Sequence, residues 1–491
     1  MKNVLRIVFL FIVTIQLSAQ ENIFLNRDYW KGQPSIESID ANIAKGFDIT
    51  AMNSGAFDGV CYAIFSGNSL ETIEHLLSKG NSVKKITHDA RTYLFWAVSN
   101  GNLELAKMLV AKGSDVSAID SKGHSVLLFA ATTGQQDPKL YDLLLEKGAD
   151  LKSTMHDGRN ALHLLIRRSE DFKMVDRLIS KGLNIHSVDD NGNGIFNYAA
   201  SAGNLEVLKE LVKRGVSYNV SEKTGENAIL FASGNAKNTI AYYEYLEGLG
   251  LKANVVSNSG VTPLHKLARS SKNQKVYNYF IGKGVDANKA DAKGVTALQV
   301  AAARNELEIV DYFVSNTDNI NLQDKNGNSA LTNAVKRNSP EVVNFLISKK
   351  ANVNVVDRNG NNLGFHLIKS YRSSAVAIFE AKLKTLRANG LNIKDAQKSG
   401  SSLFHLAMDK NDVALLKRVK ELGIDINAKD GDGNTVLHLA ALTAKNDKIL
   451  KYLLSAGASV KAITTFEETA FDLASENEIL AKNKTNISFL K

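Results

Sequence analysis

Gly260-Val261-Thr262-Pro263-Leu264-His265 is the stretch that decides the fold of this chain. Variants of it occur at Gly158–His163 and Gly433–His438, and an apolar run ending near a second glycine follows each, as in Leu450–Gly457. Over most of the 491 residues the phrase returns at intervals of 33 to 35. Self-similarity at such a period predicts a stack of repeats in which each unit contacts its neighbours. An extended stack favours binding over catalysis.

Local chemistry predicts the structure of one repeat. Asp324–Gly327 has the composition of a type I turn, with Asp first and Gly fourth. A short helix of small and apolar residues, such as Leu298–Ala302, is expected after the turn. A second, amphipathic helix, exemplified by Leu205–Val212, is then ended by a glycine such as Gly215. Since one such unit cannot bury its apolar face alone, the units must stack.

Two interleaved series of glycines carry a family resemblance. The turn glycines are Gly123, Gly158, Gly192, Gly225, Gly260, Gly294, Gly327, Gly360, Gly400 and Gly433. The glycines that end the second helices are Gly46, Gly80, Gly113, Gly148, Gly182, Gly215, Gly250, Gly284, Gly390, Gly423 and Gly457. With the Thr-Pro-Leu-His phrase, this pattern resembles the ankyrin repeat family. The resemblance implies an all-α solenoid of about thirteen helix-turn-helix units with β-turn fingers, capped at both ends.

Four segments are expected from the pattern. Residues 1–20 form a secretory signal peptide, 21–55 a linker with a capping half repeat, 56–465 the repeats, and 466–491 a capping repeat with a tail. The interval from Gly360 to Gly400 is 40 residues, which predicts an insertion of six or seven residues within Lys369–Lys384. Ala56 stands where the first turn glycine is expected.

The first twenty residues are typical of an export signal. Lys2 and Arg6 precede the apolar run Ile7–Ile15, and Leu17–Gln20 provides small and polar residues for cleavage. The run is too short for a stable membrane span, and no Cys stands at the cleavage point. We therefore expect a periplasmic or secreted protein of a Gram-negative bacterium without an integral membrane span. The alternative is a buried N-terminal helix of the stack.

Composition excludes several classes of protein. Cys61 is the single cysteine, so no internal disulfide framework exists, and a small buried thiol is expected. The formal net charge is +9, and it becomes +7 once Lys2 and Arg6 are removed with the signal. No Lys/Arg-rich run with interleaved aromatic residues indicates nucleic acid as a partner.

A second period of three repeats lies within the first. The turn-glycine intervals from Gly123 run 35, 34, 33 and then 35, 34, 33, a period of 102 residues. Every third first helix ends with cationic and hydroxyl residues, which places basic side chains in a row at intervals of roughly 25–30 Å. These candidates for contact with an acidic or anionic partner are Arg167, Arg168, Arg269, Lys369 and Arg372. The alternative is that they only meet the helix dipole and the last carbonyls of short helices.

Aromatic residues near the N-terminus are a second candidate surface. Tyr93 and Trp96 lie in an unusually aromatic first helix, and with Tyr29 and Trp30 they are candidates for an exposed binding patch. The alternative is that they cap the end of the stack, whose apolar face needs covering.

Motifs for catalysis or metal binding are absent from the sequence. His163, His265, His405 and His438 occupy the His position of the resembled family, where the imidazole bonds to a neighbouring turn. They occur once per repeat, so they cannot surround one metal ion. Asp430–Asn434 lacks the glycine and glutamate spacing of a calcium-binding EF-hand loop and is typical of a turn. No catalytic residue, cofactor or metal is expected.

The function favoured by the sequence is a non-enzymatic interaction scaffold in the periplasm. The resemblance implies that protein partners bind the concave side made by turn tips and first helices. The alternative is a periplasmic accessory protein that holds or stabilises one redox or stress enzyme. We expect a monomer.

Overall fold

The computed structural model describes residues 21–219 and 221–491. The predicted signal peptide lies outside these residues. The chain divides into two compact units. The N-terminal unit contains the residues up to Ala199 together with Glu206–Ser217, and the C-terminal unit contains Ala200–Leu205 and Tyr218–Lys491.

Helices follow one another in pairs, and the first pairs cover the N-terminal unit. These helices are α1 (Arg27–Lys31), α2 (Ile36–Ala44), α3 (Gly59–Phe65), α4 (Leu70–Ser78), α5 (Tyr93–Ser99), α6 (Leu103–Ala111), α7 (Val126–Thr133), α8 (Pro138–Glu146), α9 (Ala161–Leu165), α10 (Lys173–Ser180), α11 (Ile195–Ala202) and α12 (Leu205–Lys213). Short 3₁₀ turns occur at Ile23–Leu25, His88–Ala90 and Ile166–Arg168.

The same pairing continues through the C-terminal unit. Its helices are α13 (Ala228–Ala232), α14 (Ile240–Gly248), α15 (Pro263–Leu267), α16 (Gln274–Gly282), α17 (Ala297–Arg304), α18 (Leu307–Ser315), α19 (Ala330–Arg337), α20 (Pro340–Ser348), α21 (Leu363–Ser370), α22 (Val376–Ala388), α23 (Leu403–Met408), α24 (Val413–Glu421), α25 (Val436–Thr443), α26 (Asp447–Ser455), α27 (Ala470–Glu476) and α28 (Glu478–Lys482). Two further 3₁₀ turns are Ser373–Ala375 and Ser488–Leu490.

Thirteen of the pairs, α3/α4 to α27/α28, are the repeats that the glycine series predicts, and we number them 1 to 13. The odd-numbered helices are the first helices and the even-numbered ones the second helices. In the described part of the chain the β structure is limited to isolated bridges in the fingers. The prediction of an all-α repeat solenoid is confirmed.

Each finger is held both within itself and by the next finger. In the finger at Asp324, the carboxylate accepts the backbone N–H groups of Asn326 and Asn328, each at 2.8 Å. Gly327 has a φ of +79°, and an added Cβ would lie 2.5 Å from the backbone nitrogen of Arg358 in the following finger. Glycine is thus required both for the left-handed conformation and for the close approach.

Histidines join consecutive repeats, as the resemblance implies. The Nδ1 atom of His265 accepts the backbone N–H of Thr262 at 3.2 Å, so the proton is on Nε2, which donates to the carbonyl of Val295 at 2.9 Å. The equivalent Nε2 bonds start from His163, His405 and His438. The structural role of these four residues is confirmed.

The predicted insertion is found in repeat 10. Helix α22 has 13 residues where the second helix of repeat 9 has nine. The rest of the insertion lengthens the connection between α21 and α22, which contains the turn Ser373–Ala375.

Candidate functional site

Basic side chains recur at the ends of five consecutive first helices, in repeats 7 to 11 of the C-terminal unit. Each lies nine or ten residues after its turn glycine, at the end of α15, α17, α19, α21 or α23. These first helices pack directly against one another in sequence order. The five residues are Arg269, Arg304, Arg337, Lys369 and Lys410.

Buried amides fix the ends of these helices relative to one another. The side chain of Asn305 donates to the carbonyls of Ala268 at 3.0 Å and Ser271 at 2.9 Å in the preceding repeat. Asn338 makes the same pair of bonds one repeat later. Each of these asparagines directly follows one of the arginines. Carbonyls that would otherwise be unpaired at the helix ends are satisfied, and the arginines are held in register.

The insertion of repeat 10 forms a wall beside this row. Tyr371, Ala375 and Phe379 lie on the wall, and the enclosed groove has a volume of about 1060 Å³. Within residues 221–491 the lining of the groove contains no acidic side chain. We call this feature the basic groove. Its basic lining residues are Arg269, Arg304, Lys336, Arg337, Lys369, Arg372, Lys382 and Lys410.

Most of the cationic groups in the basic groove lack a carboxylate partner. Lys369 is paired, with its Nζ 2.5 Å from Oδ2 of Asp409. Among the described residues, no carboxylate lies within 4 Å of the four groove arginines, all of which are exposed. Their charges therefore face solvent without a neutralising counter-ion from the protein.

Lys382 anchors the wall from the inside. Its side chain is 4% exposed, and its Nζ donates to the carbonyl of Val335 at 2.9 Å, in the last turn of α19. Burial lowers the pKa of this lysine to about 8, so the ammonium form still predominates at neutral pH. A cation at this position favourably meets the dipole of α19.

Lys336 lines the basic groove, and the buried His366 lies near enough to feel its charge. Lys336 Nζ donates to Oδ1 of Asn328 at 3.0 Å, and its pKa is lowered first by burial and then by the charge of Arg337. His366 is 3% exposed, with Nε2 3.3 Å from Oδ2 of Asp357. Burial, with a smaller contribution from Lys336, lowers the pKa of His366 to about 4. The histidine is therefore neutral at pH 7, and the positive charge of the groove comes from lysine and arginine.

A set of cations on the second helices has the opposite environment. Several of them pair with a carboxylate on the second helix of the preceding repeat, an arrangement that we call the second-helix ladder. In the N-terminal unit Arg177 lies 2.6 Å from Asp142, and in the C-terminal unit Lys283 lies 2.8 Å from Glu247. Further pairs of the ladder are Lys112–Glu74, Arg214–Asp176 and Arg418–Glu380.

Three of the stripe residues predicted from the sequence come together in the basic groove. These are Arg269, Lys369 and Arg372. Arg167 and Arg168 belong to the N-terminal unit, where they end the 3₁₀ turn after α9, and both are exposed. Partial desolvation lowers the pKa of Arg167, and the nearby charges of Arg159 and Arg168 add to the effect.

The three-repeat period missed most of the groove because it selected only every third helix. The residues it missed are Arg304, Lys336, Arg337, Lys382 and Lys410. A signal for four of them was present in the sequence: a basic residue nine or ten positions after each turn glycine from Gly260 to Gly400. Lys382 had no such signal, because its burial depends on how the insertion folds back.

Tyr93 and Trp96 lie inside the stack. Tyr93 is fully buried, and its hydroxyl donates to Oδ2 of Asp58 at 2.6 Å. Trp96 is 7% exposed, and its Nε1–H donates to Oγ1 of Thr87 at 2.9 Å. Because their rings and polar atoms are already engaged, these residues cannot form the exposed aromatic patch considered above. Cys61 is also buried, as expected.

In the described ranges, no group of three or more His, Cys, Asp or Glu side chains is placed to hold a metal ion. No helix in those ranges has the length and apolar character that a membrane span requires.

Comparison with known proteins identifies the family. The family model described as "Ankyrin repeats (3 copies)" matches residues 60–155, 135–222, 196–291, 264–357 and 375–464. These matches cover most of the chain, and the chain belongs to the ankyrin repeat family. Membership of a family that is typically non-catalytic supports a role in protein interaction.

Matches to individual proteins are partial. Protein fem-1 homolog C of Homo sapiens is 35% identical over 106 residues, covering 19% of this chain and 17% of its own length. Protein phosphatase 1 regulatory subunit 12A of Mus musculus is 34% identical over 91 residues, covering 18% of this chain and 9% of its own length. L-asparaginase of Dirofilaria immitis is 30% identical over 140 residues, covering 28% of this chain and 23% of its own length. The chain spans less than a quarter of each of these relatives.

Proposed function

We propose that this chain is an exported, non-enzymatic scaffold that binds protein partners in the periplasm through its fingers and first helices. The observation that carries the proposal is the basic groove, because its arginines are exposed and unpaired although the stack has carboxylates to pair cations elsewhere. Charges that the fold does not neutralise are available to a partner with an acidic surface. The regulatory subunit among the matched proteins is consistent with a role in binding.

Export and partner capture can be tested together in a Gram-negative host. The full chain, tagged at its C-terminus, is expected in the osmotic-shock fraction in processed form and as a monomer on size-exclusion chromatography. A matched chain that lacks residues 1–20 is expected to remain in the cytoplasm. Recovery of both forms in the cytoplasm would contradict the proposal.

Crosslinking of the periplasm before purification tests the scaffold role. Several co-purifying proteins with acidic surfaces are the expected result, and recovery of one redox or stress enzyme alone would select the accessory role instead. If the exported chain is recovered without any crosslinked protein, the scaffold proposal fails.

A further inference from the structure

The basic groove has dimensions that can be compared with those of a polypeptide. First helices of neighbouring repeats pack about 8–10 Å apart, so their basic ends recur at about that spacing. An extended chain in the polyproline II conformation rises about 3.1 Å per residue with three residues per turn, so every third side chain lies on the same face at intervals of about 9 Å. The row from Arg269 through Arg304 and Arg337 to Lys369 and Lys410 therefore matches the acidic side chains of an extended peptide at every third residue.

We propose that the basic groove binds an extended acidic peptide segment of a partner protein, with one carboxylate side chain opposite each consecutive first-helix end. This inference rests on the proposed function and specifies the partner chemistry. Arginine is suited to the role because its planar fork pairs with a carboxylate through two hydrogen bonds. The amides of Asn305 and Asn338 hold the helix ends that carry Arg304 and Arg337 in register before binding, so no backbone ordering is needed on association.

The walls of the groove favour a peptide over a nucleic acid. Single-stranded nucleic acids bind on exposed aromatic rings, whereas Tyr371 and Phe379 are 8% and 4% exposed. The wall instead exposes Ile378, which is aliphatic and can contact the apolar part of a peptide. The three-residue register is also that of a polypeptide in the polyproline II conformation.

The experiment uses fluorescein-labelled peptides of about thirteen residues and the purified full chain without its signal. One peptide has Glu at every third position with Ala and Ser between, and the other has the same composition with the glutamates contiguous. By fluorescence anisotropy at about 50 mM salt, the spaced peptide is expected to bind at least tenfold more tightly. Its affinity is expected to fall as salt rises, because exposed charges are screened.

A charge-reversed pair and a matched control locate the binding. Arg304→Glu with Arg337→Glu is expected to weaken binding of the spaced peptide at least thirtyfold. Lys275→Glu with Lys448→Glu makes the same change in net charge on exposed second-helix positions of the same unit and is expected to change binding less than threefold. Circular dichroism and thermal unfolding confirm that each variant is folded.

Three results would overturn the inference: equal affinity for the two peptides, unchanged binding by the folded Arg304/Arg337 variant, or preferential binding of single-stranded DNA or polyphosphate. The test is separate from partner capture. Peptide binding without any crosslinked protein would sustain the groove and reject the scaffold, whereas captured proteins with no peptide binding would do the reverse.

Discussion

The second-helix ladder and the basic groove place the same residue types in opposite environments. Arg177 in the ladder contacts both carboxylate oxygens of Asp142, whereas Arg304 in the groove is exposed with no carboxylate within 4 Å among the described residues. The stack therefore pairs cations from repeat to repeat on one surface and leaves them unpaired on another. The groove arginines therefore contribute no ion-pair energy to the fold.

The buried apolar side chains are expected to contribute more to the unfolding free energy than either charged surface. Leu346 in α20 is fully buried, and Leu346→Ala is expected to cost about 2–5 kcal/mol of unfolding free energy. Because repeats couple to their neighbours, the loss of hydrogen-exchange protection should centre on repeats 8 to 10. The control is Leu208→Ala, the same substitution in the N-terminal unit. Because its effect stays with its own neighbouring repeats, it should leave peptide binding to the basic groove unchanged. A uniform loss of protection along the chain would contradict this view.

Acid is expected to destabilise repeat 10, because His366 in α21 is buried in its neutral form. The folded-state pKa of His366 is about 4 and its unfolded value about 6.5, so the unfolded chain binds the extra proton between these values. The associated stability is complete above pH 6.5 and is lost as the pH falls towards 4, a change of the order of 3 kcal/mol. Denaturant unfolding from pH 7 to 4.5 should show a shallower dependence for His366→Asn than for wild type. Parallel curves for the two proteins would reject the assignment.

One pair of the second-helix ladder should contribute a small stabilisation. Arg177→Ala removes the pair with Asp142 and is expected to cost about 0.5–1 kcal/mol, since the guanidinium is partly exposed and screened. Thermal unfolding at low and high salt should show that the cost shrinks at high salt. The single variant Asp142→Ala and the double variant complete a double-mutant cycle. A coupling energy of zero would show that the pair contributes nothing to the unfolding free energy.

The groove arginines should contribute least to the fold. Arg304→Ala and Arg337→Ala are each expected to change the unfolding free energy by less than about 0.5 kcal/mol. Loss of the favourable helix-end interaction is offset by relief of repulsion within the groove. The measurement is thermal unfolding beside the ladder variant Arg177→Ala. A cost above about 1 kcal/mol for either groove variant would remove the contrast between the two surfaces.

The candidate site was only partly accessible from the sequence. Arg269, Lys369 and Arg372 were identified through their three-repeat spacing, but the spacing also selected Arg167 and Arg168, which belong to the other unit. The three-repeat period records similarity between repeats and carries no information on whether a side chain is exposed. Tyr93 illustrates this limit, because an aromatic residue in a first helix reads the same whether it is buried or exposed.

By itself the sequence determined the repeat architecture, the positions of the fingers, the structural histidines and the insertion. These features depend on interactions within one repeat or at a fixed offset from it, such as the left-handed glycine of a turn or the bond from His265 to the next finger. Only the tertiary structure decided which cations are neutralised and where the groove lies. That outcome depends on side chains about one repeat apart and on the fold of the insertion, which buries Lys382 against the end of α19.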